Sequence, residues 1–372
     1  MRIGEYKFHK TGSESYRSYV PIKLPIEVHV DQRLIEKASS VLAELGSLSV
    51  PSLDLFLYMY VRKEAVLSSQ IEGTQSSLND LILFENNQRP GTKISDVREV
   101  SRYVEALNYG IERINSGFPL CLRLLREIHS ILLHNTRGQE YLPGEFRTSQ
   151  NWIGGTRPGN AAFVPPEPQI LDEYLTNLER YINNEKSPVI LRAAIAHVQF
   201  ETIHPFLDGN GRMGRLLIIL ILFKYGMLKT PLLYISLYFK ERRFEYYKLL
   251  NDVREKGNWE DWINFFFNGV ISVSKQAISV IKKATLFFDK CEEIIAKMGR
   301  QRFSAKLLFE YLKRHPITFA PDAANSLKTS VPTARSALES LAKQDIISVK
   351  NIDRKQKIYT FQKYLDLLEK VD

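Results

Sequence analysis

His204-Pro205-Phe206-Leu207-Asp208-Gly209-Asn210-Gly211-Arg212-Met213-Gly214-Arg215 decides how this chain is read. A helical pattern over Ala193–Thr202 leads into it, and the apolar run Leu216-Leu217-Ile218-Ile219-Leu220 follows at once. The spacing predicts a short loop that opens a buried helix. Two glycines at alternate positions let the backbone turn tightly and aim its N–H groups into one concavity. At a helix N-terminus such a concavity suits a diphosphate. Asn210 can cap the new helix. Arg212 and Arg215, three residues apart, can reach the same phosphates. Asp208 is a hard oxygen ligand beside that nest, where Mg²⁺ would be held. His204 can be neutral near pH 7 and take a proton from an incoming hydroxyl. Singly, each residue has a plainer explanation: a structural histidine, a turn, a surface arginine pair. Here base, acid, nest and both arginines fall within twelve residues of one junction.

Outward from the motif, helical periodicity dominates, and the predicted fold class is mainly α. A stretch beginning with Leu34, Val41, Leu42 and Leu45 is amphipathic, and Leu53–Glu72 is a second helix. Others are predicted over Asp96–Ile114, Leu120–Leu133, Pro168–Tyr181, Val189–Thr202, Arg212–Lys224 and Trp259–Val273. The Gly/Pro-rich segment Gly138–Pro168 reads as a loop or hairpin, and long loops in compact domains are usually functional. A long helix from Val270 to about Arg300 connects to the tail. There the helical patterns Ala305–Arg314, Pro321–Leu327 and Pro332–Gln344 precede two strand-like runs, Ile346–Lys350 and Lys357–Phe361. These flank a turn, Asp353-Arg354-Lys355-Gln356. That order predicts a winged helix-turn-helix.

The central string resembles the Fic signature His-x-Phe-x-Asp/Glu-Gly-Asn-Gly-Arg-x-x-Arg and matches every specified position. Ala196–Ile203 resembles the helix before that motif in the family. Gly144-Glu145-Phe146-Arg147 and Trp152-Ile153-Gly154-Gly155 resemble its flap, and Tyr246-Tyr247 its downstream nucleotide-contacting tyrosine pair. The resemblance implies a Fic-type helical core with a small β-hairpin flap, and transfer of AMP from ATP to a Ser, Thr or Tyr hydroxyl of a protein. In it His204 is the general base, Phe206 anchors the loop, and Asp208 holds Mg²⁺ between the α- and β-phosphates. Gly209, Asn210 and Gly211 cradle phosphates, and Arg215 takes the γ-phosphate. The nucleotide site further takes in Arg212, Met213, Gly214, the flap residues Ile153, Gly154, Gly155 and Thr156, and Tyr246 and Tyr247. UMP and other phosphate-containing groups remain open as alternative cargo.

Ser68-Ser69-Gln70-Ile71-Glu72-Gly73 closes the Leu53–Glu72 helix, with Gly73 placed as its C-terminal cap. A carboxylate there faces the negative end of the helix dipole, unfavourable by roughly a few tenths of a kcal/mol, so a cation meeting Glu72 from elsewhere would explain it. The run resembles the Fic inhibitory pattern Ser/Thr-x-x-x-Glu-Gly/Asn, with Ser68 and Glu72 in register. Because it precedes the motif, it resembles the class with an N-terminal inhibitory helix. The resemblance pairs Glu72 with Arg215 in place of the γ-phosphate. The same glutamate could instead serve AMP removal by positioning a water.

The predicted organisation is an N-terminal helical region carrying the inhibitory helix (1–95), a Fic catalytic core (96–268), a linker helix (269–300) and a winged-helix domain (301–372). The 372 residues are enough for a substantial core, and 44% apolar with 25% charged residues is ordinary globular composition. Cys121 and Cys291 are far apart, which argues against a disulfide framework and fits a reducing cytoplasm. Met1–Lys10 lacks the apolar core of a signal peptide, and the longest apolar run, Leu216–Phe223, is far short of a membrane span. The expected location is therefore cytoplasmic.

The net charge is +9, and residues 301–372 hold 13 Lys/Arg against 8 Asp/Glu. That excess admits a polyanion partner, nucleotide or nucleic acid. A DNA-binding regulator is the rival outside enzymology, with Thr333, Arg335 and Ser336 near a recognition-helix N-terminus, Lys328 before it, and Arg354, Lys355 and Lys357 on the wing. A metal hydrolase using His197, Glu201 and His204 is the rival enzyme, but it leaves the glycines and arginines unexplained. No P-loop string occurs. His129 and His134 read as structural or exposed, and His315 sits at a helix end before Pro316. The implied partners are ATP and a hydroxyl-bearing target protein, with no membrane; DNA at the C-terminal domain and a homodimer stay open.

Overall fold

The computed structural model describes residues 2–12, 14–48, 53–85, 91–184, 186–351 and 357–369. At the N-terminus an antiparallel hairpin pairs β1 (Glu5–Thr11) with β2 (Glu14–Val20), Glu5 lying opposite Val20. In α1 (Gln32–Ser47) the Asp31 carboxylate accepts from the Arg33 N–H at 2.9 Å, capping the first turn. Its buried Ile35, Ala38, Leu42 and Leu45 recur every three or four residues and make one apolar stripe. Then come α2 (Leu53–Ile71), α3 (Leu78–Glu85), α4 (Ile94–Asn115) and α5 (Leu122–Leu133). After the long loop follow α6 (Leu171–Asn184), α7 (Val189–Ile203), α8 (Asn210–Lys224), α9 (Ser236–Glu241), α10 (Arg243–Lys256) and the 38-residue α11 (Trp259–Ala296).

The core sits around α7 and α8, which pack on each other. Leu216 to Leu222 are all fully buried, and a helix apolar on every face is stable only in the middle of such a bundle. Around the pair, α4 packs on α8, α6 and α10 on α7, and α1 on α11. α2 lies against α4 and α9 and also touches α8, which brings its C-terminal end to the motif. Behind the motif His197, Phe239, Tyr246, Trp262 and Phe265 form an aromatic cluster with neighbouring centroids 4.6 to 6.0 Å apart.

The C-terminal part comprises α12 (Arg302–Arg314), β3 (Ile317–Phe319), α13 (Ala320–Ser326), α14 (Val331–Lys343), β4 (Ser348–Asn351), β5 (Lys357–Thr360) and α15 (Gln362–Glu369). Its sheet has three strands in the order β3-β5-β4, one more than the sequence pattern predicts. Ser330 caps α14 by accepting from the Thr333 N–H at 3.2 Å. Of the expected wing turn, Asp353 to Gln356 lie outside the described residues. Among the described residues no helix is long and apolar enough to cross a membrane.

Three expectations need revision. The N-terminal region expected over 1–95 is not helical throughout, because Glu5–Thr11 and Glu14–Val20 pair as a hairpin. No break separates a core from a linker at 268/269, because α11 runs unbroken with buried residues on both sides, Phe267 and Gly269. The helices α3, α9 and α10 escaped the periodicity search: two are six or eight residues long, and α10 mixes buried and charged positions. Trp262 is fully buried and its indole N–H donates to the Ala194 carbonyl at 2.9 Å. Trp262→Ala is expected to lower unfolding free energy by about 3–5 kcal/mol in urea denaturation.

Candidate active site

Helix α7 ends in a left-handed residue, His204, with φ 51° and ψ 59°. For a non-glycine this costs about 1–2 kcal/mol, so other contacts must hold it. The His204 Nδ1 lies 3.3 Å from the Glu201 carbonyl, which can only accept, so Nδ1 carries the proton and Nε2 is left with a lone pair. Burial, then the Arg254 charge and more weakly that of Arg147, lower the imidazole pKa to about 3. His204 is therefore neutral at pH 7 and half-buried.

The rest of the loop is pinned from several sides. Phe206 is fully buried and stacks on His129 at a centroid distance of 3.6 Å. His129 donates from Nε2 to the Asp208 carbonyl at 2.9 Å and accepts at Nδ1 from the Gly144 N–H at 2.9 Å. Both nitrogens are thus committed in the neutral form, and burial lowers the pKa to about 4. The Asn151 amide donates to the Phe206 carbonyl at 2.9 Å.

Gly209, at φ 78°, is the N-cap of α8, and no side chain caps it. This corrects the reading of Asn210 as the cap. Asn210 Oδ1 accepts from the Phe206 N–H and Nδ2 donates to the Phe206 carbonyl, at 2.9 and 2.8 Å. Its side-chain amide is thus engaged by the Phe206 backbone and holds the loop. Met213 is fully buried in the core, and Gly214 abuts the Glu201 carboxylate and His197. Both are buried in the packed interior.

Glu72 lies one residue beyond α2, and Arg215 lies on α8, 143 positions later. The Arg215 guanidinium is buried, and Nη2 donates to Glu72 Oε1 at 2.7 Å. It also donates from Nε to the Ser68 hydroxyl at 2.8 Å and from Nη2 to the Ser68 carbonyl at 2.9 Å. Burial alone would favour neutral Arg215, but the Glu72 charge outweighs it and raises the pKa. Burial likewise opposes the Glu72 charge, and the charge and hydrogen bond of Arg215, with Arg212 and His204, outweigh that and lower its pKa. A Cβ on Gly211 would overlap the Glu72 carboxylate, so that carboxylate rests on the first turn of α8 where an anion is favoured. Gly73, at φ 98°, turns the chain away, as glycine does after a helix.

Arg212 is buried, with Nη1 3.3 Å from Glu99 and Nη2 3.6 Å from Asp208. Glu99 also pairs with Arg137. Asp208 keeps its carboxylate 41% exposed beside the α8 N-terminus. One open carboxylate next to an anion seat fits Mg²⁺, which is held by one or two carboxylates with substrate phosphates and waters. Among the described residues no group of three or more His, Cys, Asp or Glu could hold a metal, and His197 instead bonds the Tyr246 hydroxyl at 2.9 Å. That bond corrects the tyrosine pair as well. Both tyrosines lie near Glu72 and Arg215, but Tyr246 is sealed in the aromatic cluster, whereas Tyr247 is 40% exposed.

The flap residues form one bridge, Ile153 with Phe163, and turn through Gly154 and Gly155 at φ 70° and 72°. Gly154, Gly155 and Thr156 are exposed. The N-terminal hairpin braces this segment: the Tyr19 N–H donates to the Val164 carbonyl at 2.8 Å and the Gly159 N–H to Glu14 at 2.9 Å. Sequence reasoning missed Glu99, Asn151 and Arg254, and noted His129 and Arg147 without a role in the loop. Their partners lie 55 to 113 residues away for most of these bonds, so no local pattern marks them.

Residues 119–222 match the sequence model of the Fic/DOC family, and residues 32–112 match that of the Fic/DOC family N-terminal region. Residues 119–222 thus form a Fic/DOC domain, preceded by a Fic/DOC N-terminal region. Proteins described as protein adenylyltransferase Fic from Aedes aegypti and Culex quinquefasciatus are 30% and 31% identical over 248 residues, 64% of this chain. The chain spans about half the length of these relatives, 46% of each. In fold it is similar to a Fic family protein from Desulfovibrio desulfuricans, with a TM-score of 0.59 at 19% identity over 91% of this chain and 98% of that one. A Fic domain containing signaling protein from Bacteroides thetaiotaomicron gives 0.55 at 21% identity, over 68% of this chain and 96% of that one.

Within this Fic/DOC domain Glu201 is a second buried carboxylate. Its Oε1 has no hydrogen-bond partner, and burial, against the pull of Arg215, raises its pKa to about 7. The fold therefore favours its protonated form, and the stability this gives is lost as pH rises through about 7. Glu201→Gln should gain on wild type between about pH 4.5 and 7.5, by on the order of 2–3 kcal/mol, in chemical denaturation at a series of pH values.

Proposed function

We propose that this protein transfers AMP from ATP to a Ser, Thr or Tyr hydroxyl on a protein, and that Glu72 holds the resting site off. The observation that carries the reading is the Glu72 carboxylate resting on Gly211 and paired with buried Arg215, an anion seat filled from within the chain. The relatives' description as protein adenylyltransferases supports the same reaction.

In this reading the polyphosphate lies along the first turn of α8, where N–H groups, Arg212 and Arg215 neutralise its charge. Asp208 would hold Mg²⁺, which when bound screens the phosphate oxygens and orients the leaving group. Nε2 of His204 accepts the proton of the target hydroxyl as its oxygen forms a bond to the α-phosphorus. The bond from that phosphorus to the bridging oxygen breaks, and pyrophosphate leaves with the electron pair. The arriving phosphate charge favours imidazolium and brings His204 from its low resting basicity toward the working range. Gly154, Gly155 and Thr156, exposed on the flap, would align the target segment, and Tyr247 would border the nucleotide.

Glu72 opposes this because the γ-phosphate needs Arg215. The same carboxylate, 37% exposed beside the seat, could orient a water for AMP removal. For the C-terminal part we keep DNA contact as a second reading, because Thr333, Arg335 and Ser336 stand exposed together on α14. A salt-dependent gel shift that is lost in Arg335→Ala tests it.

Transfer of α-³²P label from ATP with Mg²⁺ tests the main reading. Glu72→Gly should label itself or a lysate protein about tenfold or more above wild type, a barrier change of about 1.4 kcal/mol or more. Glu72→Gly with His204→Ala should be silent. Equal labelling by wild type and Glu72→Gly would remove the inhibitory assignment.

A further inference from the structure

Two buried guanidiniums meet at the C-terminal end of α7, and the signature motif contains neither. Arg147, 2% exposed, donates from Nε to the His204 carbonyl at 2.9 Å and from Nη2 to the Ile203 carbonyl at 3.3 Å. Its backbone N–H donates to the Pro205 carbonyl at 2.9 Å. One residue thus holds three consecutive carbonyls, those on either side of His204 and its own. The remaining donors reach the Ser149 and Pro166 carbonyls, at the two ends of the segment that carries the flap. Arg254 on α10, also buried, donates from Nη2 to the Glu201 carbonyl at 3.2 Å and from Nε to the Thr202 hydroxyl at 3.1 Å. Its guanidinium lies 4.0 Å from the centroid of the Phe163 ring on the return arm of the flap. Among the described residues no carboxylate forms an ion pair with either arginine.

A helix ends with carbonyls that lack partners, and the negative end of its dipole attracts cations. At that position the dipole ordinarily favours the imidazolium form of a histidine. Here the carbonyls and the space for positive charge are already taken. The charged groups facing the imidazole are Arg254 from α10, Arg147 from the loop segment and Glu72 from the turn after α2, the last acting in the opposite sense. Burial is the larger cause of the low basicity, and the two arginines add to it against Glu72, whose own charge is engaged by Arg215. Nδ1 of His204 already faces the Glu201 carbonyl, so only Nε2 is left to accept.

We infer that Arg147 and Arg254 are positioning residues that jointly cap the carbonyl end of α7, lock His204 in its left-handed turn and keep its Nε2 bare. The flap and the catalytic loop share this cap, since the same two side chains hold both. The catalytic use of that nitrogen rests on the proposed AMP transfer; the capping itself does not.

The test has one arm that needs no activity. In ¹⁵N-histidine-labelled protein, with the His204 signals identified by their loss in His204→Gln, the His204 ring of wild type should stay neutral down to pH 5. Arg254→Met should raise its titration midpoint by about one pH unit or more, and Arg254→Lys by less, because a lysine keeps the charge. In the Glu72→Gly background, Arg147→Met should lower kcat by roughly tenfold or more with KM for ATP little changed, and Arg147→Lys should recover only part, since an ammonium does not span the carbonyls as a guanidinium does. A wild-type His204 that titrates at about pH 6.5 or above overturns the inference even if every arginine variant fails to fold. So does a folded Arg254→Met whose His204 titrates as in wild type, or a folded Arg147→Met with unchanged kcat. If no variant transfers label while His204 stays neutral and responds to Arg254→Met, the cap stands and the proposed reaction falls.

Discussion

The buried Arg215 guanidinium is the constraint around which the site is arranged. A charge out of water must be met by an opposite charge and by hydrogen bonds, or the fold is penalised by several kcal/mol. Glu72 supplies the charge, and Ser68 supplies two acceptors from the same helix. α2 must therefore approach α8 closely, and Gly211 must lack a side chain so that the carboxylate can settle on the helix end. The partner that completes the resting protein is also the group a triphosphate would have to replace. In the proposed reading, stability of the apo site and suppression of activity are one interaction.

Close behind comes the rigidity of the loop between α7 and α8. It contains a strained residue, His204, and little regular hydrogen bonding of its own, so its carbonyls are satisfied by side chains from elsewhere. Arg147, His129, Asn151 and Asn210 each take a loop backbone group. Preorganisation of this kind fits a reaction in which the protein mainly positions groups and neutralises charge. It also joins the flap, the N-terminal hairpin and α10 to the histidine through a few buried contacts.

Much of this was legible in the sequence where the cause is local. The loop–helix junction at 204–215 follows from glycines beside an apolar run, and α1, α2, α4, α5, α7 and α8 from periodicity. The pairing of Glu72 with Arg215 spans 143 residues and could be expected only from the resemblance. Asn210 was misread because a cap and a loop staple use the same residue in the same place; the Phe206 backbone, four residues back, wins its amide. Tyr246 and Tyr247 are neighbours on α10, about 100° apart around the axis, so one ring is sealed in the core while the other keeps an exposed edge. The hairpin at 5–20 did carry a signal, with Tyr6 and Phe8 alternating with Lys7 and His9 before Gly12. Its weak burial hid it, since Tyr6 and Phe8 are exposed.

The most direct measurement of the central claim is a crystal structure of Glu72→Gly with ATP and Mg²⁺. The account predicts a γ-phosphate oxygen within hydrogen-bond distance of the Arg215 guanidinium, on the side where Glu72 lies now. The α-phosphorus should then stand within reach of His204 Nε2 through one hydroxyl-sized gap. An Arg215 that turns to another protein group, with the phosphates bound away from the first turn of α8, would contradict it.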